Sequence, residues 1–294
     1  MRKILYQILL SICFIYSFFP NVSGQWNTPV TVVSANDVGE YTSMQIVDGN
    51  PAIAYYDATN GDVMFVRATD VSGTTWGTPI IADGTGNVGQ HLSMQIVAGN
   101  PAICYYNASG GGLKYVRATN TDGSAWGTPV NAVSSGHAHF YNSMQIVDGK
   151  PAISYGGGTN LEYVQAADAT GSAWNAPVII ENTGTGSYTS LQVVNGNPAI
   201  SYQLTGDLKY VRATNASGSA WGTPQIIDNG NAAGRFSSLR IVNGNPAIAY
   251  VENFDLQYVR ATDADGTNWN SPINLTPNPG IDVTHTSLQI VESN

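Results

Sequence analysis

Apolar and polar positions along this chain alternate in short runs that return on a fixed spacing. Ser-Met/Leu-Gln/Arg-Ile/Val-Val or a close variant begins at Ser43, Ser93, Ser143, Ser190, Ser238 and Ser287. Pro-Ala-Ile-Ala/Cys/Ser-Tyr begins at Pro51, Pro101, Pro151, Pro198 and Pro246. A third run, Leu-x-Tyr-Val-Arg/Gln-Ala or a close variant, begins at Val63, Leu113, Leu161, Leu208 and Leu256. Each run is rich in β-branched and aromatic residues and bounded by Gly, Asn, Asp or Pro, which predicts strands. No run sustains an apolar 3.6-residue period long enough for a helix.

Tryptophan marks the same period. Trp26, Trp76, Trp126, Trp174, Trp221 and Trp269 follow one another at 50, 50, 48, 47 and 48 residues, each with Pro three positions on. Four short strands per repeat of this length, joined by tight turns, predict one blade of a β-propeller. A parallel β-helix has fewer residues per coil, and a β-sandwich does not repeat its sequence. The expected fold is therefore all-β.

Before each of the last five tryptophans stands Asp/Asn-x-x-Gly-Ser/Thr-x-Trp: Asp70…Gly73, Asn120…Gly123, Asp168…Gly171, Asn215…Gly218 and Asp263…Gly266. Asp or Asn at a turn start accepts backbone N–H bonds, Gly takes a positive φ, and the indole is expected to fold onto the hairpin. These hairpins resemble the Asp-box, or BNR, hairpins of secreted bacterial sialidase-like propellers, although here the acid or amide stands six residues before Trp instead of five. In that family the hairpin joins the third and outermost strands. The resemblance implies blades running Ser-Met-Gln (inner), Pro-Ala-Ile, Leu-x-Tyr, then Trp-x-x-Pro (outer). On that phase the chain opens with an outer strand, Trp26–Val33, forms five complete four-stranded antiparallel blades, and reaches a lone inner strand, Thr286–Val291. The incomplete sixth blade is expected to continue beyond Asn294.

The first 24 residues have a different character. Arg2 and Lys3 precede the apolar stretch Ile4–Phe19, Pro20 follows, and Val22-Ser23-Gly24 supplies small residues. That is the pattern of a cleaved secretory signal, and 16 apolar residues fall short of the roughly 20 needed to span a membrane. Residues 1–24 are thus expected to be a signal peptide and 25–294 the propeller of a secreted or cell-surface protein. The chain carries 11 Lys+Arg against 20 Asp+Glu, a net charge of −9. This argues against nucleic acid and anionic membranes as partners, both of which need a basic face.

Candidate chemistry falls on the rim opposite the hairpins, where the loops differ from blade to blade. Two residues before each marker Ser stands a ring: Tyr41, His91, Tyr141, Tyr188, Phe236 and His285. These six are expected to circle the mouth of the central channel, either as a ligand-binding surface for flat sugar faces or as plugs opening each inner strand. Arg67, Arg117, Arg212 and Arg260, with Gln165 in the remaining blade, close the third strand and are expected to brace their own hairpin Asp or Asn or a neighbouring blade, with a ring of anion sites as the alternative. Only Arg235 and Arg240 are then left outside the leader, too few for a sialidase-type triad of arginines. Glu40, Asp57, Asp83, Glu181, Glu252 and Asp255 lie in variable-rim segments, and no two stand out as a glycosidase pair. His137 and His139 share a loop with no Cys or carboxylate close by, so neither a metal nor another cofactor is expected. Cys104 replaces a small strand residue and is expected to be inert. The function expected from the sequence is a non-enzymatic, lectin-like module binding glycan. The alternative is an adhesin or scaffold binding a surface protein; a glycoside hydrolase ranks below both.

Overall fold

The structure, a computed structural model, describes residues 28–134, 139–276 and 282–290. Two units are distinguished, Met1–Thr31 and Val32–Asn294. The described residues of the first are irregular. The signal peptide and Trp26 lie outside the described residues.

The second unit is the propeller. Blade one is β1 (Val38–Val47), β2 (Asn50–Asp57), β3 (Asp62–Arg67) and β4 (Ile80–Asp83); blade two is β5 (Val88–Val97), β6 (Asn100–Asn107), β7 (Leu113–Arg117) and β8 (Val130–Val133). Blade three is β9 (His139–Val147), β10 (Lys150–Gly157), β11 (Asn160–Gln165) and β12 (Val178–Glu181). Blade four is β13 (Ser187–Val194), β14 (Asn197–Leu204), β15 (Asp207–Arg212) and β16 (Gln225–Asp228). Blade five is β17 (Arg235–Val242), β18 (Asn245–Glu252), β19 (Asp255–Arg260) and β20 (Ile273–Asn274). Every blade is an antiparallel sheet in chain order, as the repeat predicts.

The outer strands depart from expectation. Each of the five described Trp residues makes only an isolated bridge to the Ala closing strand three, and the outer ladder begins after the Pro. Proline has no N–H to give a ladder, and Gly77 N instead turns back to Arg67 O at 2.9 Å. Residues 28–33 form no strand, and neither do 282–290. The latter nevertheless keep an inner strand's position: Leu288 N donates to Ser238 Oγ at 3.0 Å. The same bond joins Met94 N to Ser43, Met144 N to Ser93, Leu191 N to Ser143 and Leu239 N to Ser190. The segment thus has the register of a blade but forms no ladder among the described residues.

The core lies between blades. Val63 and Phe65 of blade one pack with Met94, Ile103 and Tyr105 of blade two, and three further clusters repeat this at the next junctions. The tryptophans belong to these junctions and do not simply cover their own hairpins. Trp126 stands edge-to-face on Phe65 of the preceding blade at 5.2 Å, and Trp174, Trp221 and Trp269 do so on Tyr115, Tyr163 and Tyr210. Meanwhile the indole N–H of Trp76, Trp174, Trp221 and Trp269 donates to its own hairpin Gly carbonyl. Gly171 has φ +76°, and a Cβ there would lie 2.6 Å from Tyr115. The hairpin Gly is thus required by both backbone and neighbour. The strand-three arginines brace the β-turn between strands one and two and not the Asp or Asn of their own hairpins, and Arg212 also reaches the neighbouring blade, 3.3 Å from Asp265. Arg67 Nε reaches Val47 O at 2.7 Å, and Gln165 Nε2 does the same to Val147 O at 2.8 Å.

A buried tyrosine and an acid seal each junction on the variable rim. Tyr105 donates to Asp83 Oδ2 at 2.6 Å, and Lys114 lies 3.1 Å from the same oxygen. Tyr202, Glu181 and Lys209 repeat the triad at 2.5 and 2.7 Å. Burial alone would raise Glu181, but Lys209, Tyr202 and Thr183 outweigh it and hold the carboxyl below its ordinary value. In blade three the acid has changed strands: Val133 occupies the outer position, and Tyr155 donates to Glu162, which stands where Lys114 and Lys209 stand. Replacing Lys209→Glu should therefore lower stability by about 2–4 kcal/mol through two facing buried acids. The double variant E181V/K209E, which copies blade three, should recover most of that loss in urea melts. No recovery would mean the two arrangements are not equivalent.

Candidate functional site

The inner strands start on the variable rim and run down the central channel, so their first residues form its mouth. Register shifts fall between Glu40 and Ser43, Gln90 and Ser93, Ser187 and Ser190, and Arg235 and Ser238. Such bulges re-aim a side chain. Accordingly Tyr41, His91, Tyr141, Tyr188 and Phe236 take φ between 50° and 60°, a region costly for residues with a Cβ. The neighbouring blade anchors several of these strained peptides: Asn142 Nδ2 reaches His91 O, Thr189 Oγ1 reaches Tyr141 O, and Ser237 Oγ reaches Tyr188 O.

The six predicted ring residues are brought together. Centroids lie 4.4 Å apart for Tyr41–His91, 5.0 Å for His91–Tyr141 and 4.3 Å for Tyr141–Tyr188. Tyr188–Phe236 and Phe236–His285 follow at 4.5 and 4.3 Å. Their planes are tilted, so much of each ring face is used by its neighbour, while Tyr41 and His285 are exposed. Burial pushes His91 down to about 4 and, with the Tyr188 hydroxyl, pushes Tyr141 up to about 12.

Below the mouth lies a cavity of about 810 Å³. Its walls are the marker serines, Met44, Met94, Met144, a repeated glutamine at 45, 95, 145, 192 and 289, and Arg240 in the position those glutamines hold. No carboxylate among the described residues lines it. Among the acids singled out from the sequence, Asp57 is engaged by Thr59 and Asn60, and Asp83 and Glu181 by the junction triads. Three remain: Glu40 beside the ring, and Glu252 and Asp255 on the blade-five rim.

Blade five breaks the junction rule. Asp228 accepts from the Tyr250 hydroxyl, yet Gln257 stands opposite Tyr250 where blades two and four place Lys. No cation therefore offsets Asp228 from that position. Burial first, then Asp228 and Asp255, push the Glu252 carboxyl above its ordinary value. Asp255 accepts from Asn274 Nδ2 at 2.9 Å, and Phe254 between the two acids is 48% exposed. Gly230 lies so close that a Cβ there would strike Glu252. Arg235 pairs opposite Val251 and stacks on Phe236, which links this corner to the ring. Asp228 escaped the sequence reading; aligning Lys114, Lys209 and Gln257 was the signal that could have found it. The His137–His139 side chains lie outside the described residues. Cys104 is buried, and burial pushes its thiol up to about 12.

No family model matches the sequence, and no curated protein matches it either. Solved structures do. Hadza microbial sialidase Hz136 superposes with a TM-score of 0.52 at 14% identity, over 80% of this chain and 58% of that one. The exo-β-1,3-galactanase of Phanerochaete chrysosporium gives 0.50 at 13%, over 80% and 60%. A bifunctional GH43-CE protein of Bacteroides eggerthii gives 0.48 at 12%, over 84% and 35%. The chain thus spans between about a third and three-fifths of the length of these three. Likeness at this identity shows the fold alone, a β-propeller like that of the sialidase and the galactanase. It also corrects the expectation of a non-enzymatic lectin or adhesin, because the sialidase and the galactanase on which this chain superposes are glycoside-cleaving enzymes.

His91 yields a pH prediction. Its folded value lies below the ordinary 6.5, so the unfolded chain binds the proton more tightly. Stability should be full above about pH 6.5 and fall as pH drops toward about 4, by up to roughly 3 kcal/mol. Thermal melts across that range should flatten in His91→Phe relative to the wild type.

Proposed function

We propose that this chain is a secreted glycoside hydrolase whose acid chemistry sits on the blade-five rim. The observation that carries this reading is Glu252. It is a carboxyl that holds its proton above the ordinary range, beside two further acids at the one junction where a glutamine stands in place of lysine. Glycosidic cleavage needs one carboxylic acid to protonate the leaving oxygen and a second carboxylate to activate water or attack the anomeric carbon. Glu252 suits the first role. Asp255, oriented by Asn274, suits the second, while Asp228 is spent on Tyr250 and the Gly230 N–H. In the water-activating form, Glu252 gives its proton to the departing alcohol and Asp255 takes one from the attacking water, so charge balances.

The fold shared with a sialidase and a galactanase supports a glycan as substrate. The exposed Phe254 and the ring of Tyr41, His91, Tyr141, Tyr188, Phe236 and His285 supply flat faces for sugar stacking. The basic start and short apolar run of residues 1–24 support export, and the hairpin Asp and Asn residues support the Asp-box reading. Asp70 accepts from Ser72, Thr74 and Thr75 N–H groups at 3.0, 3.1 and 2.7 Å, as such a hairpin requires.

Hydrolysis of a panel of chromogenic glycosides and plant and mucin glycans tests this. Glu252→Gln should lower kcat by at least about 10²-fold, the scale of lost general-acid catalysis. Its melting temperature should be unchanged or raised, since a repelled acid is neutralised. Wild-type protein inert on the whole panel, or a Glu252→Gln variant of full activity, would sink the proposal.

A further inference from the structure

The inner-strand position two residues after the marker Ser is glutamine in blades one to four and in the 282–290 segment, at Gln45, Gln95, Gln145, Gln192 and Gln289. Blade five alone has arginine, Arg240. The glutamine has a structural role, since Gln45 Nε2 donates to Met94 O and Gln95 Nε2 to Met144 O, both at 3.0 Å, tying each inner strand to the next. A neutral amide fills that role, so it does not explain a charge at Arg240. The hydrogen bond of Arg240 among the described residues runs from one guanidinium nitrogen to the adjacent Leu239 carbonyl, at 2.8 Å. The four strand-three arginines are different, since each spends both Nε and a terminal nitrogen on turn carbonyls.

Arg240 lines the axial cavity of about 810 Å³, and no other charged side chain among the described residues does. Burial lowers its pKa, and no carboxylate pairs with it among the described residues. A half-buried, uncompensated guanidinium is costly unless an anion meets it. The walls add donors of a particular kind. Ser43, Ser93, Ser143, Ser190 and Ser238 each accept a backbone N–H from the following inner strand through Oγ. A serine hydroxyl that accepts this way still has its own proton to give, and none of these five donates it to a partner among the described residues. Hydroxyl donors from five inner strands therefore surround a cavity that holds one cation and no acid.

We infer that the axial cavity is an anion site, in which Arg240 and the marker-serine hydroxyls bind an oxyanion group, carboxylate or sulfate, on a polar molecule of sugar size. This goes beyond hydrolysis at the blade-five rim and does not depend on it, because the readout is binding. A guanidinium matches the two oxygens of such a group, and the ring of hydroxyls suits the rest of a polyhydroxylated ligand. The cavity is far larger than a bare ion, which points to an acidic sugar in preference to a free anion.

Isothermal titration of the full chain with D-glucuronate, D-glucose, acetate and sulfate is the test. Glucuronate should bind at one site per chain and more tightly than glucose. R240Q, which installs the residue of the other strands and so should fold, should weaken glucuronate by about tenfold or more, the scale of one lost charge-assisted partner. R240K, which keeps the charge but loses the planar fork, should fall between the two. Acetate or sulfate binding that R240Q also abolishes would support the site and assign its recognition to the oxyanion itself. Absence of heat with all three anions, or glucuronate binding equal in wild type, R240K and R240Q, would overturn it.

Discussion

No blade of this protein has a core of its own, and everything else follows from that constraint. A four-stranded sheet has two faces, and the buried clusters draw on two blades at a time: Phe65 meets Trp126, Tyr115 meets Trp174, and Leu161 and Tyr163 pack with Leu191 and Tyr202. Apolar burial therefore stabilises the stack and not the single repeat. It also explains why β1, with no blade packed before it among the described residues, leaves Met44 and Ile46 65% and 58% exposed while the equivalent Met94 and Met144 are buried.

Polar groups have to be satisfied within the same junctions, and they divide by rim. On the hairpin rim, tyrosine hydroxyls of one blade reach backbone carbonyls of the next hairpin, as Tyr115 does to Thr170 O at 2.9 Å. On the variable rim, a tyrosine needs an acid, and the acid in turn needs a cation or a compensating change. Blade two and blade four supply lysine, and blade three moves the acid to another strand. Blade five does neither. Burial there, together with the neighbouring Asp228 and Asp255, pushes the Glu252 carboxyl above its ordinary value.

The channel shows the same logic with the opposite sign. Glutamine suffices to tie inner strands together, and serine accepts the backbone donors, so a neutral lining is what the fold requires. Arginine at position 240 exceeds that requirement. Repeats make such excess visible, because each blade serves as a control for the others.

The sequence by itself determined the three inner strands of each complete blade, their antiparallel order, the number of complete blades and the ring of six residues at the mouth, since these depend on local pattern and a period that survives in those copies. It also placed Arg235 and Arg240 outside the bracing set. It did not determine what the tryptophans touch, because an indole three residues after a hairpin Gly reaches both its own turn and the next blade, and only packing shows that it serves both. Nor did it single out Glu252 with Asp255 and Asp228. These acids lie on different strands of two blades, and Asp228 acts on Glu252 only once the two blades are packed together. Distances between blades are tertiary quantities, so the scaffold was legible residue by residue, whereas the charge balance at its junctions was decided by the assembled ring.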